Sequence, residues 1–275
     1  MSEQSGFQLS GSAPEMYERY IVAPFCVALA ENLVSSATLN PGEHILDVAC
    51  GTGVVTRRAA QDVGPTGAVT GLDINEGMLS MARSISSPND DLISYREGSA
   101  IDIPFPDETF DAVFCQHGLE FFPDRGQGVS EMRRVLKPKG QLGLRVWRHL
   151  EYQPFHIAVL AALDRHLWRE QDVPSRAGLT QPFSFGDAEA LRALAVDAGF
   201  SDIEIKVSTI PWRYAASPTD MLGYLSALPF SRDIHEMDEI ARNEMLQELL
   251  VSLQPFLDGE ELVMPGESHI VLARK

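Results

Sequence analysis

Residues 45–55 read ILDVACGTGVV, an apolar run broken at the carboxylate of Asp47 and then at Gly51 and Gly53 before apolar residues resume. A buried strand that stops in a glycine turn and passes into a helix is half of a strand–helix–strand crossover, and such crossovers join parallel strands. The alternation continues down the chain. Strand HILDVA leads to helix VVTRRAAQDV, which stops at GPTG; strand AVTGLDI leads to helix NEGMLSMARSI, capped by Asn75. Strand ISYREG, turn IPFPDETF and strand FDAVFCQH follow, then a helix from about Gln127 to Leu136, a KPKG turn and strand QLGLRVW. The first 150 residues therefore predict an α/β domain, a Rossmann-like doubly wound sheet covered on both faces.

On either side of that core the pattern changes. Tyr17, Tyr20, Ile21, Phe25, Leu29 and Leu33 fall at steps of three or four, which predicts one or two helices over 14–36, interrupted near Pro24. Beyond Trp147 a helix is expected over 153–168, then a loop REQDVPSRAGLTQPFSF, a helix ending at Gly199, strand IEIKVSTI, helices near 218–228 and 234–254, and a last strand HIVLARK. Helices between the final strands would lie over the carboxyl edge of the sheet as a cap. Three regions are expected: an N-terminal helical lid over 1–40, a core over 41–150, and over 151–275 the remaining strands with the cap insertions.

Composition removes several classes of function. With 22 Lys and Arg against 39 Asp and Glu, the formal net charge is −17, which disfavours a polyanionic partner and so nucleic acid. The basic cluster RRVLKPKG reads as a helix end followed by a turn. Cys26, Cys50 and Cys115 are widely spaced and include no CxxC pair, which argues against disulfides and structural zinc and fits a reducing, cytoplasmic setting. No run of about 18 apolar residues suggests a membrane span, and the N-terminal MSEQSGFQLSGS reads as disordered. Oligomeric state is not written in the sequence; a homodimer is one option.

The turn at Gly51 and Gly53 admits three readings: a plain strand-to-helix turn, a dinucleotide loop, or a cradle for another adenosine cofactor. A G-x-G-x-x-G fingerprint would need glycine where Thr56 stands. Asp73 ends the second strand 73 − 53 = 20 residues past the last glycine, where a carboxylate accepts from ribose hydroxyls. Four ordered segments, LDVACGTG, GLDINEGML, EGSAIDIPFPDETFDAVFCQHGLEFFPD and RVLKPKGQL, then resemble the successive motifs of class I S-adenosylmethionine-dependent methyltransferases, in the branch related to the ubiquinone and menaquinone C-methyltransferases. The resemblance covers about residues 42–147 and implies a seven-stranded sheet and S-adenosylmethionine as cofactor, with S-adenosylhomocysteine as product.

Carried over by residue, the resemblance implies that Asp47, Ala49, Gly51 and Gly53 wrap the cofactor's methionine end and that Asp73 takes the ribose. Ile74 and Met78 would lie beside the adenine, Ser99 and Ala100 at its edge, and Cys115 and Gln116 along the path to the sulfonium; Tyr17 and Tyr20 could close over the cofactor from the lid. Two positions depart from the family: Ala49 stands where many members have glycine, and Ser99 where many have aspartate.

Methyl transfer from a sulfonium is an in-line displacement that depends chiefly on holding the nucleophile about 3 Å from the methyl carbon in a dry pocket. A base is needed only when the acceptor must lose a proton. His117 and Glu120, in the loop after the fourth strand, are the candidates, with His149 and His156 behind them; no histidine spacing supports a metal. Phe121, Phe122, Trp147, Phe155 and Trp212 could enclose an apolar acceptor. The leading expectation is methylation of a small, apolar or aromatic metabolite. The rivals are a macromolecule-directed methyltransferase, an NAD(P)-dependent oxidoreductase and a non-catalytic binder of the same cofactor. CQHG does not match the Asp/Asn/Ser-Pro-Pro-aromatic tetrad of DNA amino-methylating enzymes, and the chain has no Tyr-x-x-x-Lys pair for a dehydrogenase.

Overall fold

The computed structural model describes Leu9, residues 13–168 and residues 174–275. The rest of the N-terminal MSEQSGFQLSGS segment and residues 169–173, the start of the expected loop, lie outside the described residues. Eight strands form one sheet: β1 (His44–Val48), β2 (Ala68–Asp73), β3 (Ile93–Glu97), β4 (Phe110–Gln116), β5 (Leu136–Trp147), β6 (Ser201–Ala215), β7 (Leu257–Asp258) and β8 (Glu261–Arg274). Their order is β3-β2-β1-β4-β5-β8-β6, with the two-residue β7 paired to β8 alone. The first five pair in parallel, as the strand–helix alternation requires, and β8 runs antiparallel between β5 and β6. Chain order reverses between β1 and β4, the place where an open α/β sheet leaves a crevice at its carboxyl edge.

Helices α3 (Val54–Asp62), α4 (Glu76–Ser84) and α5 (Arg125–Val135) make the crossovers of the parallel half, preceded by α1 (Ala13–Tyr17) and α2 (Val27–Ser36). Their starts follow side-chain chemistry: Met78 N–H donates to Asn75 Oδ1 at 3.2 Å and Gln127 N–H to Asp124 Oδ1 at 2.9 Å, each satisfying an amide that the first turn leaves open. After β5 come α6 (Pro154–His166), α7 (Pro174–Thr180) and α8 (Ala188–Asp197). Between β6 and β8 lie α9 (Pro218–Ser226), α10 (Ser231–Glu236) and α11 (Glu239–Leu253).

Strand alternation sorts the core into two sheet faces. Val113, Cys115, Leu142 and Leu144 pack with α5 and α8, while Ala112 and Phe114 pack on the opposite side with Leu33, Ala59 and Ala60 of α2 and α3. A third cluster joins the lid to the cap: Phe25 with Phe155, Trp212, Met221, Tyr224 and Met245.

Several expectations change in the structure. The lid does not break at Pro24; Glu18–Cys26 continues as a π-type helix between α1 and α2, wide turns that accommodate a proline without ending the rod. KPKG is a bulge inside β5, with Lys139 at φ 67°, and the described part of the breaker-rich loop forms α7 and then a 3-10 turn over Gln181–Phe183. The expected helix at 234–254 divides into α10 and α11, with Asp238 capping the latter through Ile240 and Ala241 N–H groups. The seven-stranded sheet expected is present as β3-β2-β1-β4-β5-β8-β6, and the two-residue β7 adds an eighth strand on β8 where the chain turns back. Strands β6 and β8 run about twice the length that periodicity suggested, since each pairs with the other beyond the edge of the parallel core.

Candidate functional site

A cavity of about 230 Å³ opens at the crevice between β1 and β4 and runs under the lid and cap. One end is built from strand ends. Ala49 and Gly51 take left-handed backbone conformations, φ 56° and 55°, so the chain turns sharply as it leaves β1 and brings its main chain to the cavity wall. Alanine tolerates this conformation at a cost of about 1 kcal/mol that glycine does not incur. A Cβ on Gly51 would lie 3.7 Å from Met78 Cε, which flanks the same space.

Two carboxylates organise that turn. Thr56 donates its N–H and its hydroxyl to Asp47 Oδ2 at 2.9 and 2.6 Å, fastening α3 to the end of β1. Burial raises the Asp47 carboxyl to about 7, against the Thr56 hydrogen bonds, which favour the anion. Asp73, at the tip of β2, accepts Gly51 N–H at 2.8 Å and Asn75 N–H at 2.9 Å, and burial raises its pKa as well. Both line the cavity, whose wall, among the described residues, includes no Lys or Arg side chain. Two carboxylates facing one cavity without a basic neighbour in its wall suit a ligand that brings its own ammonium and its own hydroxyls. The amino-acid and ribose ends of the expected cofactor supply these, and the residues present fit it.

The remaining positions expected on the cofactor divide. Ile74, Met78, Ser99, Ala100 and Gln116 line the cavity. Ile101 N–H donates to Ser99 Oγ at 3.3 Å, which leaves the Ser99 hydroxyl a second lone pair. Gly53, Cys115 and Tyr20 do not line it. Gly53 is the left-handed N-cap of α3 and lets Tyr95 approach, its absent Cβ being 2.3 Å from Tyr95 Oη. Cys115 points to the opposite face of β4 from Gln116 and is fully buried with the α5 cluster, where desolvation raises its thiol pKa. The Tyr20 ring packs over Gly223 of α9, and Tyr17 takes the place on the cavity instead. The lid is fastened to the glycine loop by Glu18, which accepts the Thr52 hydroxyl and pairs with Arg57 at 3.3 Å.

The far end of the cavity is aromatic. Phe25, Trp147, Phe183 and Trp212 line it, with the Phe25 and Trp212 rings 4.3 Å apart and those of Trp147 and Trp212 5.2 Å apart. Phe121 and Phe122 also reach the cavity, whereas Phe155 stands behind this wall. His117 lies at the junction of the two ends. Its ring stacks on Trp147 at 3.8 Å and 8°, and its Nδ1 is 3.4 Å from Glu120 Oε1. His117 Nε2 is buried without a hydrogen-bond partner, and desolvation lowers the pKa of the ring, with Arg145 adding to the fall and Glu120 opposing it. Glu120 is fully buried and does not line the cavity; its Oε1 accepts Trp147 N–H at 2.9 Å. It therefore sits behind the imidazole. His149 turns away, with its Nδ1 3.2 Å from Phe183 O, while His156 lines the aromatic end.

Sequence reasoning missed Phe25, Phe183 and Tyr224. Phe25 carried the periodic signal of an ordinary helix face, and nothing local marks Tyr224 within an apolar helix. Among the described residues no group of three or more His, Cys, Asp or Glu side chains is arranged to hold a metal ion. No helix among them is long and apolar enough to cross a membrane.

Comparison with known proteins gives the same location. A family model described as a methyltransferase domain matches residues 46–144. The demethylmenaquinone methyltransferase of Symbiobacterium thermophilum is 46% identical over 110 residues, 39% of this chain and 44% of that protein. The chain thus aligns with less than half the length of that relative. The demethylmenaquinone methyltransferase of Staphylococcus carnosus is 32% identical over 194 residues, covering 65% of this chain and 76% of that protein. A phosphoethanolamine N-methyltransferase of Haemonchus contortus, solved with phosphomonomethylethanolamine and S-adenosylhomocysteine, superposes with a TM-score of 0.59 at 18% identity, over 95% of this chain and 56% of that one.

Proposed function

The chain belongs to the class I S-adenosylmethionine-dependent methyltransferases, and on that premise we propose that it methylates a small, uncharged, apolar or aromatic acceptor. The observation that carries this reading is one cavity with two chemically different ends: carboxylates and exposed main chain at the strand tips, and aromatic rings under the cap. The absence of Lys and Arg from its wall, among the described residues, argues against a phosphorylated acceptor such as the one bound by the Haemonchus contortus enzyme. The relatives named for demethylmenaquinone accord with an apolar ring.

The cofactor, when bound, supplies an electrophilic methyl group on a cationic sulfur. Asp47 and the turn at Ala49–Gly51 would hold its methionine end, Asp73 the ribose, and Ile74, Met78, Ser99 and Ala100 the adenine. Gln116 would line the path between the two ends. The lid, with Tyr17 on the cavity and Glu18 on Thr52, would cover that path. His117 is placed to accept a proton at Nε2: burial holds the ring neutral, and Glu120 beside Nδ1 favours the tautomer that leaves Nε2 as acceptor. Glu120 is a positioning residue in this scheme and not the base.

Calorimetric titration with S-adenosylhomocysteine and with NADPH tests the cofactor. Product formation from labelled S-adenosylmethionine with phenols, quinols and amines then tests the acceptor. Binding of the first ligand alone is expected; binding of NADPH alone overturns the proposal.

A further inference from the structure

The aromatic end of the cavity contains one polar pair that the proposed chemistry does not use. His156, in the first turn of α6, has its Nε2 3.0 Å from the hydroxyl of Tyr224 on α9, and both side chains line the cavity. Both are more than nine-tenths buried. Around them stand rings: Phe183 lies 4.5 Å from the imidazole, and Trp212 meets it edge-on at 4.8 Å and 89°. His156 Nδ1 has no hydrogen-bond partner, and neither has the neighbouring Trp212 Nε1.

Proton counting makes this arrangement informative. Burial pushes the His156 pKa down to about 3, so the ring is neutral and carries one N–H. If the Tyr224 hydroxyl donates to Nε2, the ring proton sits on Nδ1 and that donor has no acceptor. If Nε2–H donates to the Tyr224 oxygen, the Tyr224 hydroxyl proton is spare and Nδ1 is an unused acceptor. Either tautomer leaves one buried donor over, a desolvation penalty that a Phe or Leu at either position would not carry. A link that merely tied α6 to α9 has no need of the orphaned atom.

We propose that His156 and Tyr224 form a second polar anchor in the acceptor site, which hydrogen-bonds one uncharged oxygen, a carbonyl or hydroxyl, on the acceptor. An anionic group is disfavoured because no cation lines the wall, and an acceptor with no oxygen leaves the pair unsatisfied. The pair lies on the cap, whereas His117 lies on the sheet, so the acceptor is held from both sides of the cavity. This inference rests on the methyltransferase reading and identifies the residues that select among apolar acceptors.

The test is equilibrium dialysis of the protein saturated with S-adenosylhomocysteine against 1-naphthol and against 1-methylnaphthalene, which has nearly the same shape without the oxygen. The wild type is expected to favour 1-naphthol about tenfold, the value of one net hydrogen bond. Tyr224→Phe and His156→Phe are expected to cut that preference below about threefold while leaving affinity for 1-methylnaphthalene and for S-adenosylhomocysteine unchanged. Equal binding of the two probes by the wild type, binding of neither, or a preference that survives both substitutions would overturn the proposal. Failure of the wild type to bind S-adenosylhomocysteine is a separate result and overturns the methyltransferase reading beneath it.

Discussion

Lowering the pH from 8 to 5 is expected to weaken cofactor binding about a hundredfold, and the reason is Asp47. Burial raises this carboxyl to about 7 in the free protein, so below neutrality it holds a proton. A cationic amino group can be received only by the anion, and each binding event must then release that proton. With a pKa of about 7, the loss is roughly tenfold at pH 6 and roughly a hundredfold at pH 5, relative to pH 8. Asp73, whose pKa is also raised, adds to the fall at the acid end. In the free protein the sign runs the other way. A carboxyl that binds its proton more tightly folded than unfolded lowers stability as pH rises from about 4 to about 7, here by on the order of 4 kcal/mol. Titration calorimetry with S-adenosylhomocysteine, run at each pH in two buffers of different ionisation enthalpy, measures both affinity and protons released. About 0.9 proton per cofactor is expected at pH 6 and about 0.1 at pH 8. Asp47→Asn is expected to bind weakly with no proton release. An affinity constant within twofold from pH 5.5 to 8, with no buffer-dependent heat, refutes the assignment of Asp47 to the cofactor's cation.

Asp73→Asn keeps one acceptor oxygen where two backbone amides now converge, and is expected to lower the melting midpoint and weaken S-adenosylhomocysteine binding about 10- to 100-fold; unchanged calorimetric affinity would remove Asp73 from the site. Gly118→Ala would bring a Cβ within 2.5 Å of Ala49 Cβ and 2.9 Å of Cys115 Sγ, so about 1–3 kcal/mol of destabilisation is expected in denaturant unfolding. His117→Asn is expected to lower turnover at least about 100-fold with cofactor affinity unchanged, and to remove an acid limb of kcat that, because burial lowers the His117 pKa, is expected below the ordinary imidazole range; a retained acid limb would assign it to another group.

The parallel half of the sheet was legible because buried strands and amphipathic helices leave unmistakable periods, and because Asn75 announces the start of α4; the Asp124 cap starts α5 at Arg125, earlier than the start near Gln127 expected from the sequence. The lengths of β6 and β8 were not legible. Their outer halves pair with each other and, at the turn, with β7 rather than with the parallel core, and β6 alternates exposed positions with half-buried or buried ones, so no continuous apolar run marks its extent. Within the site, positions fixed by backbone geometry at strand tips were readable: Asp47, Gly51, Asp73 and Ser99 all reach the cavity. Those that depend on side-chain direction were less so. Cys115 and Gln116 are neighbours in sequence, yet strand alternation sends them to opposite faces. Tyr17 and Tyr20 share a face in an α-helix, but the π-type turns from Glu18 onward rotate Tyr20 towards α9. Tyr224 was invisible because its partner His156 lies 68 residues away, and only the packing of α6 on α9 brings them together.

The two ends of the cavity meet at one imidazole, and its position is set by contacts from three directions. His117 takes φ 54°, a conformation that costs a histidine about 1 kcal/mol or more, so the surrounding packing must hold it there. Trp147 covers one face of the ring, Glu120 stands at Nδ1, and His117 N–H donates to Arg145 O at 2.9 Å on the adjacent strand. The same Glu120 oxygen accepts the Trp147 amide, so a single buried carboxylate ties the end of β5, the indole and the imidazole into one unit. A ring held in this way does not reorganise when a ligand arrives, and a preorganised polar group in a water-poor cavity acts more strongly than the same group in water. The cap can therefore change shape without moving the imidazole at the end of β4, since none of the three contacts on His117 comes from a cap helix.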